Sequence, residues 1–223
     1  MLRTFTIAIA VLISISVSAQ TIERPSVKVG DECRYDIFDN LRKDAQGNPE
    51  KIAESRRVVT AVEGDRITTN LTRTILVSRD TEDLEDGTTI YDRDLNVVEI
   101  NGRKFEPAFP GRFYPLTPGA EKKDAKTSFQ RQRHDGNTDM KVDGTASNWQ
   151  KLVTPAGSFD VITITWDGWY NTSRGSNRWS GKTYYEMTLS PTTWCQVNSV
   201  FKQYRGNGGI WSDRTFKLTG FKN

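Results

Sequence analysis

The sequence offers few side chains for acid–base or nucleophilic catalysis. Its only histidine is His134, which Asp135 follows in a polar stretch. A general base must be held against its substrate by neighbouring groups, and this pair has no such context. No serine stands in the Gly-x-Ser-x-Gly elbow of nucleophilic hydrolases. We therefore expect a protein without enzymatic activity.

Metal ligands are also sparse. Two cysteines and one histidine are too few for a structural zinc site. Residues 92–96 begin like a calcium loop, but Val97 stands where the loop needs glycine and Arg103 where it needs a bidentate glutamate. The acidic run at residues 80–86 is typical of a solvated loop that would bind calcium only loosely. The sequence predicts no metal site and no cofactor.

Aromatic residues are the side chains best suited to a binding site. All six tryptophans lie at residue 149 or beyond. Cross-strand packing explains most aromatic residues of a β protein. Trp169, Tyr170 and Trp179 differ, because they flank the polar segment 171–178 and would form a rim suited to sugar or peptide.

A second set of aromatic residues would line the concave face of a curved sheet and contact an apolar ligand. On the two hypotheses together, the candidate ligand-binding residues are Trp166, Trp169, Tyr170, Trp179, Tyr185, Phe109 and Phe113.

Alternation of apolar and polar residues with a period of two predicts the elements that position these side chains. In residues 66–77 Ile67, Leu71, Ile75 and Val77 fall on odd positions, and residues 160–170 and 183–189 alternate in a similar way. This pattern is typical of antiparallel strands with one buried and one solvated face. It predicts an all-β fold of roughly ten strands with little helix, as a strongly curved antiparallel sheet or an open, incomplete barrel.

Glycine-containing turns separate the predicted strands. Gly64-Asp65 suits a two-residue hairpin of type II′. Asn101-Gly102 suits type I′, in which both central residues need a positive φ. We expect hairpins at both places.

One stretch fits neither strand nor linker. Residues 107–118 hold four of the eight prolines, together with Phe109 and Phe113. A solvated linker would not carry such large apolar side chains, so we expect an irregular segment that packs across the sheet, either plugging or rimming it. A short helical turn is predicted at residues 120–129.

The N-terminus predicts export. Arg3 precedes an apolar run of about 13 residues, which is the length of a signal peptide, whereas a membrane-spanning helix needs roughly 20. Small residues at 17–19 suit cleavage after Ala19. We expect a signal peptide over residues 1–19, one β domain over residues 20–223, and no transmembrane segment after cleavage. The predicted location is the periplasm, with the extracellular space as the alternative.

Charge excludes one class of partner. The net charge of the whole chain is only +3, and such a small surplus gives no field strong enough to predict binding of nucleic acid.

The two cysteines, Cys33 and Cys195, favour a disulfide bond. An exported chain reaches an oxidising compartment, and each cysteine lies in a strand-like stretch on the side of its apolar neighbours. Two separate buried thiols are the alternative. A bond would close a loop long enough to stabilise the fold by about 5 kcal/mol in the chain-entropy model.

Four phrases resemble those of exported bacterial β proteins whose domain families have no assigned function. They are residues 29–31 (Val-Gly-Asp), 62–67, 115–119 and 153–160. Each is a turn or strand-edge signature, so the resemblance implies a fold and carries over no catalytic residue. Some of these families are similar to the half-barrels of lipoprotein-localisation factors, which would imply a lipophilic cavity. This chain departs from the pattern at Cys33 and at residues 190–195, which fits a disulfide of its own.

These observations predict a non-catalytic binding or carrier module of the envelope, whose concave face takes a lipid or another apolar small molecule. One alternative is a carbohydrate-binding or adhesion module, which requires the rings of Trp169 and Trp179 to be exposed and roughly coplanar. Another is a structural envelope subunit held by strand edges.

Overall fold

The computed structural model describes residues 21–77, 86–130 and 136–223. The predicted signal peptide, His134 and all but the last residue of the acidic run at 80–86 lie outside these ranges. Within them the chain forms strands and no helix. The thirteen strands of these ranges are β1 (Glu32–Lys43), β2 (Pro49–Glu63), β3 (Arg66–Ile75), β4 (Gly87–Tyr91), β5 (Val97–Ile100), β6 (Arg103–Phe109), β7 (Glu121–Gln130), β8 (Asn137–Ala146), β9 (Gln150–Thr154), β10 (Gly157–Arg174), β11 (Asn177–Ser190), β12 (Thr193–Tyr204) and β13 (Ile210–Lys222).

The strands form one antiparallel sheet that closes into a twelve-stranded barrel. The order is β11-β12-β13-β1-β2-β3-β4-β5-β6-β7-β8-β10, and β10 pairs with β11 to complete the ring. The first residues of β10 also form a hairpin with β9 (Gly157↔Thr154 to Val161↔Gln150), so β9 extends the sheet beyond the ring. The predicted all-β fold and strongly curved antiparallel sheet are confirmed, and the sheet is closed through β10 and β11.

Sequence alternation decides which face each residue takes. In β8 every second residue, from Thr138 to Ala146, is buried and every intervening residue is exposed. The buried set points into the barrel, because successive side chains of a strand leave opposite faces of the sheet. The rule fixes the direction of side chains throughout the barrel.

The predicted hairpin turns are present. Glu63 pairs with Arg66 around Gly64-Asp65, and Gly64 has a φ of 57°. At the second hairpin the φ values are 50° for Asn101 and 79° for Gly102. Both residues of that turn thus take the left-handed conformation that type I′ requires.

The helical turn predicted at residues 120–129 is wrong, because residues 121–129 belong to β7. Its last residues alternate strictly, with Ala125 and Thr127 buried between exposed neighbours. They pair with β8 over most of their length. Pairing with a neighbouring strand outweighs the helix propensity of the alanine, glutamate and lysine residues, which amounts to only tenths of a kcal/mol per residue.

An irregular segment packs inside the barrel, as predicted, but it begins at residue 110 and runs to residue 120. Residues 107–109, which were included in the prediction, belong to β6 because Phe109 pairs with Val97 of β5. Leu116 is completely buried and exchanges two backbone hydrogen bonds of 2.9 Å with Ile22. The carbonyl of Gly111 accepts a 3.1 Å hydrogen bond from the indole of Trp166, and the Phe113 ring stands edge-on to the same indole. The segment therefore plugs the barrel at the level of Trp166.

The interior is packed around two main clusters. The first surrounds Trp166 and Tyr170 and includes Leu116 from the plug. Gly144 belongs to this packing, because a Cβ atom there would lie 2.6 Å from the Trp166 ring. The second cluster surrounds Cys33 and Cys195.

A disulfide bond joins Cys33 of β1 to Cys195 of β12, across 162 residues of sequence. These strands are not neighbours, since β13 lies between them in the sheet. β12 bulges strongly here: between the pairs Thr188↔Asn198 and Ser190↔Thr193, β11 advances two residues and β12 five. The extra residues carry Cys195 to its partner in the barrel interior.

The two ends of the chain also pair directly. β1 runs beside β13 from Glu32↔Lys222 to Asp39↔Arg214.

Glu32 accepts hydrogen bonds from Arg56 at 2.5 Å and Arg34 at 2.6 Å. The bond from Arg56, opposed by burial and assisted by Arg34, lowers the pKa of this carboxyl to about 2. The ion pair between Arg56 and Glu32 joins β2 to β1 beside the disulfide.

Replacing both cysteines by alanine should destabilise the protein strongly. The 162-residue separation corresponds to about 5 kcal/mol of chain entropy in the unfolded state, so we expect a loss of about 3 to 5 kcal/mol in the free energy of unfolding. Urea denaturation followed by tryptophan fluorescence measures it. Parent protein reduced with dithiothreitol is the control and should unfold at the same urea concentration as the variant. An unchanged midpoint in the double variant would contradict the stabilising role.

Candidate functional site

Six of the seven predicted ligand-binding residues point into the barrel. Trp166 and Tyr170 lie at inward positions of β10 and are 1% and 2% exposed. Phe113 belongs to the plug. The remaining inward rings, those of Phe109, Tyr185 and Trp179, are partly buried and pack on the neighbouring side chains.

The buried members of this set have structural partners. The Tyr170 hydroxyl donates to the carbonyl of Tyr204 at 2.9 Å and accepts from the Trp211 indole at 3.2 Å. The Trp166 indole is held by the plug, as described above. Their polar atoms are thus satisfied within the protein, as expected of aromatic side chains that fill a core.

Trp169 is the exception, because it points outward. Its side chain is 52% exposed. It pairs across the sheet with Lys182 of β11 and Lys141 of β8. The Lys182 ammonium lies 5.7 Å from the centre of the ring. The indole therefore stands on the outer surface between two basic side chains.

Trp169 and Trp179 do not share a face. Trp179 pairs with Thr172, and Thr172 lies three residues from Trp169 along β10, which places it on the opposite side of the strand. Thr172 is buried and Trp179 packs against the first core cluster. The two rings therefore cannot form the coplanar platform that the carbohydrate hypothesis assumed.

A cleft of about 460 Å³ lies beside Trp169, at the tip of the β10–β11 hairpin. Asn171, which lines it, is two residues from Trp169 on the same outer face, or about 7 Å along the strand. Most of its lining side chains carry hydrogen-bonding groups. The lining residues are Asp139, Asn171, Thr172, Ser173, Arg178, Trp179 and Ser180.

Charges of both signs surround this cleft. Asp139 accepts a 2.6 Å hydrogen bond from the Ser128 hydroxyl. On the same outer face, Lys141 forms an ion pair with Asp124 at 2.5 Å, and this contact raises the pKa of Lys141 and lowers that of Asp124. The cleft thus offers acceptors and donors close to an exposed indole.

The interior holds a polar group that sequence reasoning missed. Arg112, in the plug, is only 5% exposed and donates to the carbonyl of Trp194 at 3.0 Å and to the Tyr114 hydroxyl at 3.3 Å. Arg57 of β2 has its guanidinium 5.5 Å from the centre of the Tyr91 ring. An arginine at an inward position of an alternating strand is the signal that would have revealed Arg57.

Two tyrosines lie within electrostatic range of both arginines. Burial raises the pKa of Tyr35 and of Tyr185 to about 12, although Arg57 and Arg112 act to lower it. Burial also acts against the charge of Arg112, but the tyrosine hydroxyls around it outweigh this effect and its pKa is raised. At physiological pH the arginine is charged and both tyrosines are protonated.

The described residues contain no group of three or more histidine, cysteine, aspartate or glutamate side chains that could hold a metal ion. Nor do they include a helix long and apolar enough to cross a membrane. Among these strands, the five-residue β9 pairs with a single neighbour, β10. Its other edge is the short unpaired edge of the sheet, and the structural-subunit hypothesis requires a longer one.

Comparison with models of known protein families finds no match. No curated protein matches either. Among solved structures, the chain is similar to a protein of Bacteroides fragilis NCTC 9343 described as exported and as having a YmcC-like fold; identity is 14%, the TM-score is 0.50, and the alignment covers 92% of this chain and 100% of that chain. A protein of Parabacteroides distasonis ATCC 8503 described as a lipoprotein aligns with a TM-score of 0.45 and 15% identity over 87% of this chain and 96% of its own. The first likeness shows a shared fold alone.

Opposite orientations of Trp169 and Trp179 predict opposite effects on stability. Trp169→Ala removes an exposed ring and should change the free energy of unfolding by no more than about 0.5 kcal/mol. Trp179→Ala removes a ring that packs on the core and should cost about 2 kcal/mol or more. Urea denaturation of the two variants beside the parent measures both. Equal losses would show that the rings are equally buried and contradict the assignment of faces.

Proposed function

We propose that the protein is an exported, non-catalytic binding module of the bacterial envelope, located in the periplasm, that takes a glycan on the outer face of the β10–β11 hairpin. Export is supported by the predicted signal peptide and by the disulfide bond, which requires an oxidising compartment. The likeness in fold to a protein described as exported is consistent with this location.

The two-ring platform that the carbohydrate hypothesis assumed is absent, so the glycan proposal depends instead on the juxtaposition of one exposed indole and one polar cleft. Trp169 is 52% exposed, and Asn171, the next outward residue of β10, opens into the cleft of about 460 Å³. This volume falls within the range of small-molecule sites.

A sugar ring matches both parts of this surface. One face of a pyranose carries C–H groups that pack on an aromatic ring, and its rim carries hydroxyls that donate and accept hydrogen bonds. Asp139 supplies an acceptor, Arg178 supplies donors, and Asn171 supplies both. Trp169 is the exposed ring of this surface, whereas Trp179 lines the cleft but packs on the core. One exposed ring predicts recognition of one or two sugar units.

Binding to a glycan array should identify the ligand class, and titration calorimetry with the best hit should follow. We expect Trp169→Ala and Arg178→Ala each to weaken binding about tenfold or more, because each removes a direct contact worth about 1.5 kcal/mol or more.

Val153→Ala is the matched control. Val153 is also an exposed apolar side chain, 76% accessible, but it pairs with Ser158 at the far end of β10, about 36 Å along the strand from Trp169. Its removal should leave binding unchanged. A parent that binds no glycan, or a Trp169→Ala variant that binds as well as the parent, would refute the proposed site.

Carriage of an apolar molecule inside the barrel is a second candidate, which one observation favours. The rings of Phe109, Tyr185 and Phe201 follow one another at centre-to-centre distances of 6.0 and 6.2 Å. All three are only partly buried, although they lie on the inner face. The barrel is therefore not completely filled along this row, which would contact an acyl chain or another apolar ligand.

Native mass spectrometry tests the second candidate directly. Protein purified from the periplasm without detergent should carry a bound mass, and solvent extraction should release an apolar molecule. Tyr185→Ala enlarges the space between Phe109 and Phe201 and should change the amount bound, whereas Trp169→Ala on the outer face should not. A homogeneous protein mass without any adduct would exclude carriage under these conditions.

A further inference from the structure

The buried guanidinium of Arg112 is the least expected feature of the interior. Its hydrogen bonds to the Trp194 carbonyl and the Tyr114 hydroxyl both involve Nη1. Its Nε is buried without any acceptor from the protein. A guanidinium carries five N–H groups in a planar fork, so much of its donor capacity is unused by the chain.

A second guanidinium belongs to the same region. Arg57 pairs across the sheet with Cys33, whose disulfide leads to Cys195 beside Trp194. Its Nε is likewise buried and has no protein acceptor. Arg57 lies over the Tyr91 ring and Arg112 donates to the Trp194 carbonyl. Tyr91 and Trp194 belong to the same buried cluster, so the two cations adjoin one part of the interior. In agreement, both arginines act to lower the pKa of Tyr35 and of Tyr185.

The surrounding groups add donors rather than acceptors. The indole nitrogen of Trp194 is buried without an acceptor. The Tyr185 hydroxyl accepts a 3.3 Å hydrogen bond from the Gln196 amide, so its own hydrogen remains to be donated. The bulge of β12 brings Trp194 and Gln196 into this region.

No carboxylate balances these cations in the described part of the chain, where neither Arg57 nor Arg112 takes part in an ion pair. A buried charge without a counter-charge is strongly disfavoured. Among the described residues, this region therefore holds several buried donors and net positive charge, with no carboxylate paired to either arginine.

We propose that the barrel interior binds a carboxylate group between Arg112 and Arg57, with Trp194 Nε1 and the Tyr185 hydroxyl as further donors. The planar fork of a guanidinium matches the two oxygens of a carboxylate. The buried neighbours include Val59, Leu95 and Val197. The free-energy cost of removing an ion from water into such surroundings rises steeply with its charge. A singly charged carboxylate is therefore favoured over a phosphate.

Access to this region is provided from the barrel interior. Arg57 and Tyr185 lie on inward positions and yet are only partly buried, so solvent-sized groups reach them. The same accessible row continues to Phe109 and Phe201. A carboxylate at the arginines could thus belong to a small free acid or to the head of an acyl chain that lies along these rings.

The thermal midpoint of the parent protein, with its disulfide intact, tests the proposal without any substitution. Sodium acetate replaces sodium chloride at constant ionic strength, and a ligand that binds only the folded state raises the midpoint with concentration. We expect a rise in acetate relative to chloride. Sodium hexanoate is the second arm: binding about tenfold tighter than acetate would identify an acyl chain as the source, and equal binding would identify a small acid. A midpoint that is the same in acetate, hexanoate and chloride would overturn the proposal.

Substitutions then locate the site. Arg112→Met keeps much of the side-chain volume without the charge and should weaken acetate binding about tenfold or more. Arg205→Met, an exposed arginine in the β12–β13 turn, is the matched control and should keep the full response. Arg57→Met, at a less buried position, replaces Arg112→Met should that variant not fold. A response that survives both interior substitutions would place the anion elsewhere and refute this site. Glycan binding at Trp169 lies on the opposite face and is unaffected by either outcome.

Discussion

Pairing of β1 with β13 is the constraint on which the rest of the barrel depends. It joins residues near the two ends of the described chain, from Glu32↔Lys222 onward. Every other pair of neighbours in the ring consists of strands that are close in sequence. The long-range pairing of β1 with β13 carries a large loop-closure entropy. The Cys33–Cys195 bond removes part of that cost from the unfolded state, because it ties the same two ends together one strand further round the ring. The bulge of β12 is the local distortion that lets the bond reach across β13.

Closure turns the alternation of each strand into two separate environments. In β10, Tyr170 is anchored inside by Tyr204 and Trp211, while its neighbour Trp169 stands on the outside. A ligand outside the barrel and one inside would therefore contact different side chains of the same strand. Since the inward ring is fixed by two hydrogen bonds, the outward ring stands on a rigid base, and the polar cleft beside it is held by three paired strands.

Much of this fold could be predicted because its signals are local. The turn at Asn101-Gly102 has the backbone that its residue types demand, and the cysteines lie together as their compartment and strand context indicated. Residues 120–129 were predicted wrongly because their propensity is helical, while the pairing that makes them a strand is formed with other segments, β6 and β8. The faces of Trp169 and Trp179 depend on the register across the β10–β11 turn, which the spacing of the tryptophans alone does not reveal. Arg112 escaped prediction because the plug has no period from which an inward direction could be inferred.

The plug explains why a charged residue is tolerated inside the barrel. Its irregular backbone needs hydrogen-bond partners that a strand would find in its neighbours, and Asn96 provides one by accepting from the backbone nitrogens of Gly111 and Arg112 at 3.0 and 2.6 Å. The Arg112 side chain in turn donates to the carbonyl of Trp194, in the bulged part of β12 where regular pairing is interrupted. One arginine thus supplies a donor to backbone that the bulge leaves without a strand partner.

A neutral donor would serve that purpose at lower desolvation cost. The bulge therefore accounts for a hydrogen-bonding group at this position but not for its positive charge. A buried charge without a counter-charge is disfavoured. The unpartnered donors of Arg57 and Trp194 beside the same cluster are what place the proposed anion there.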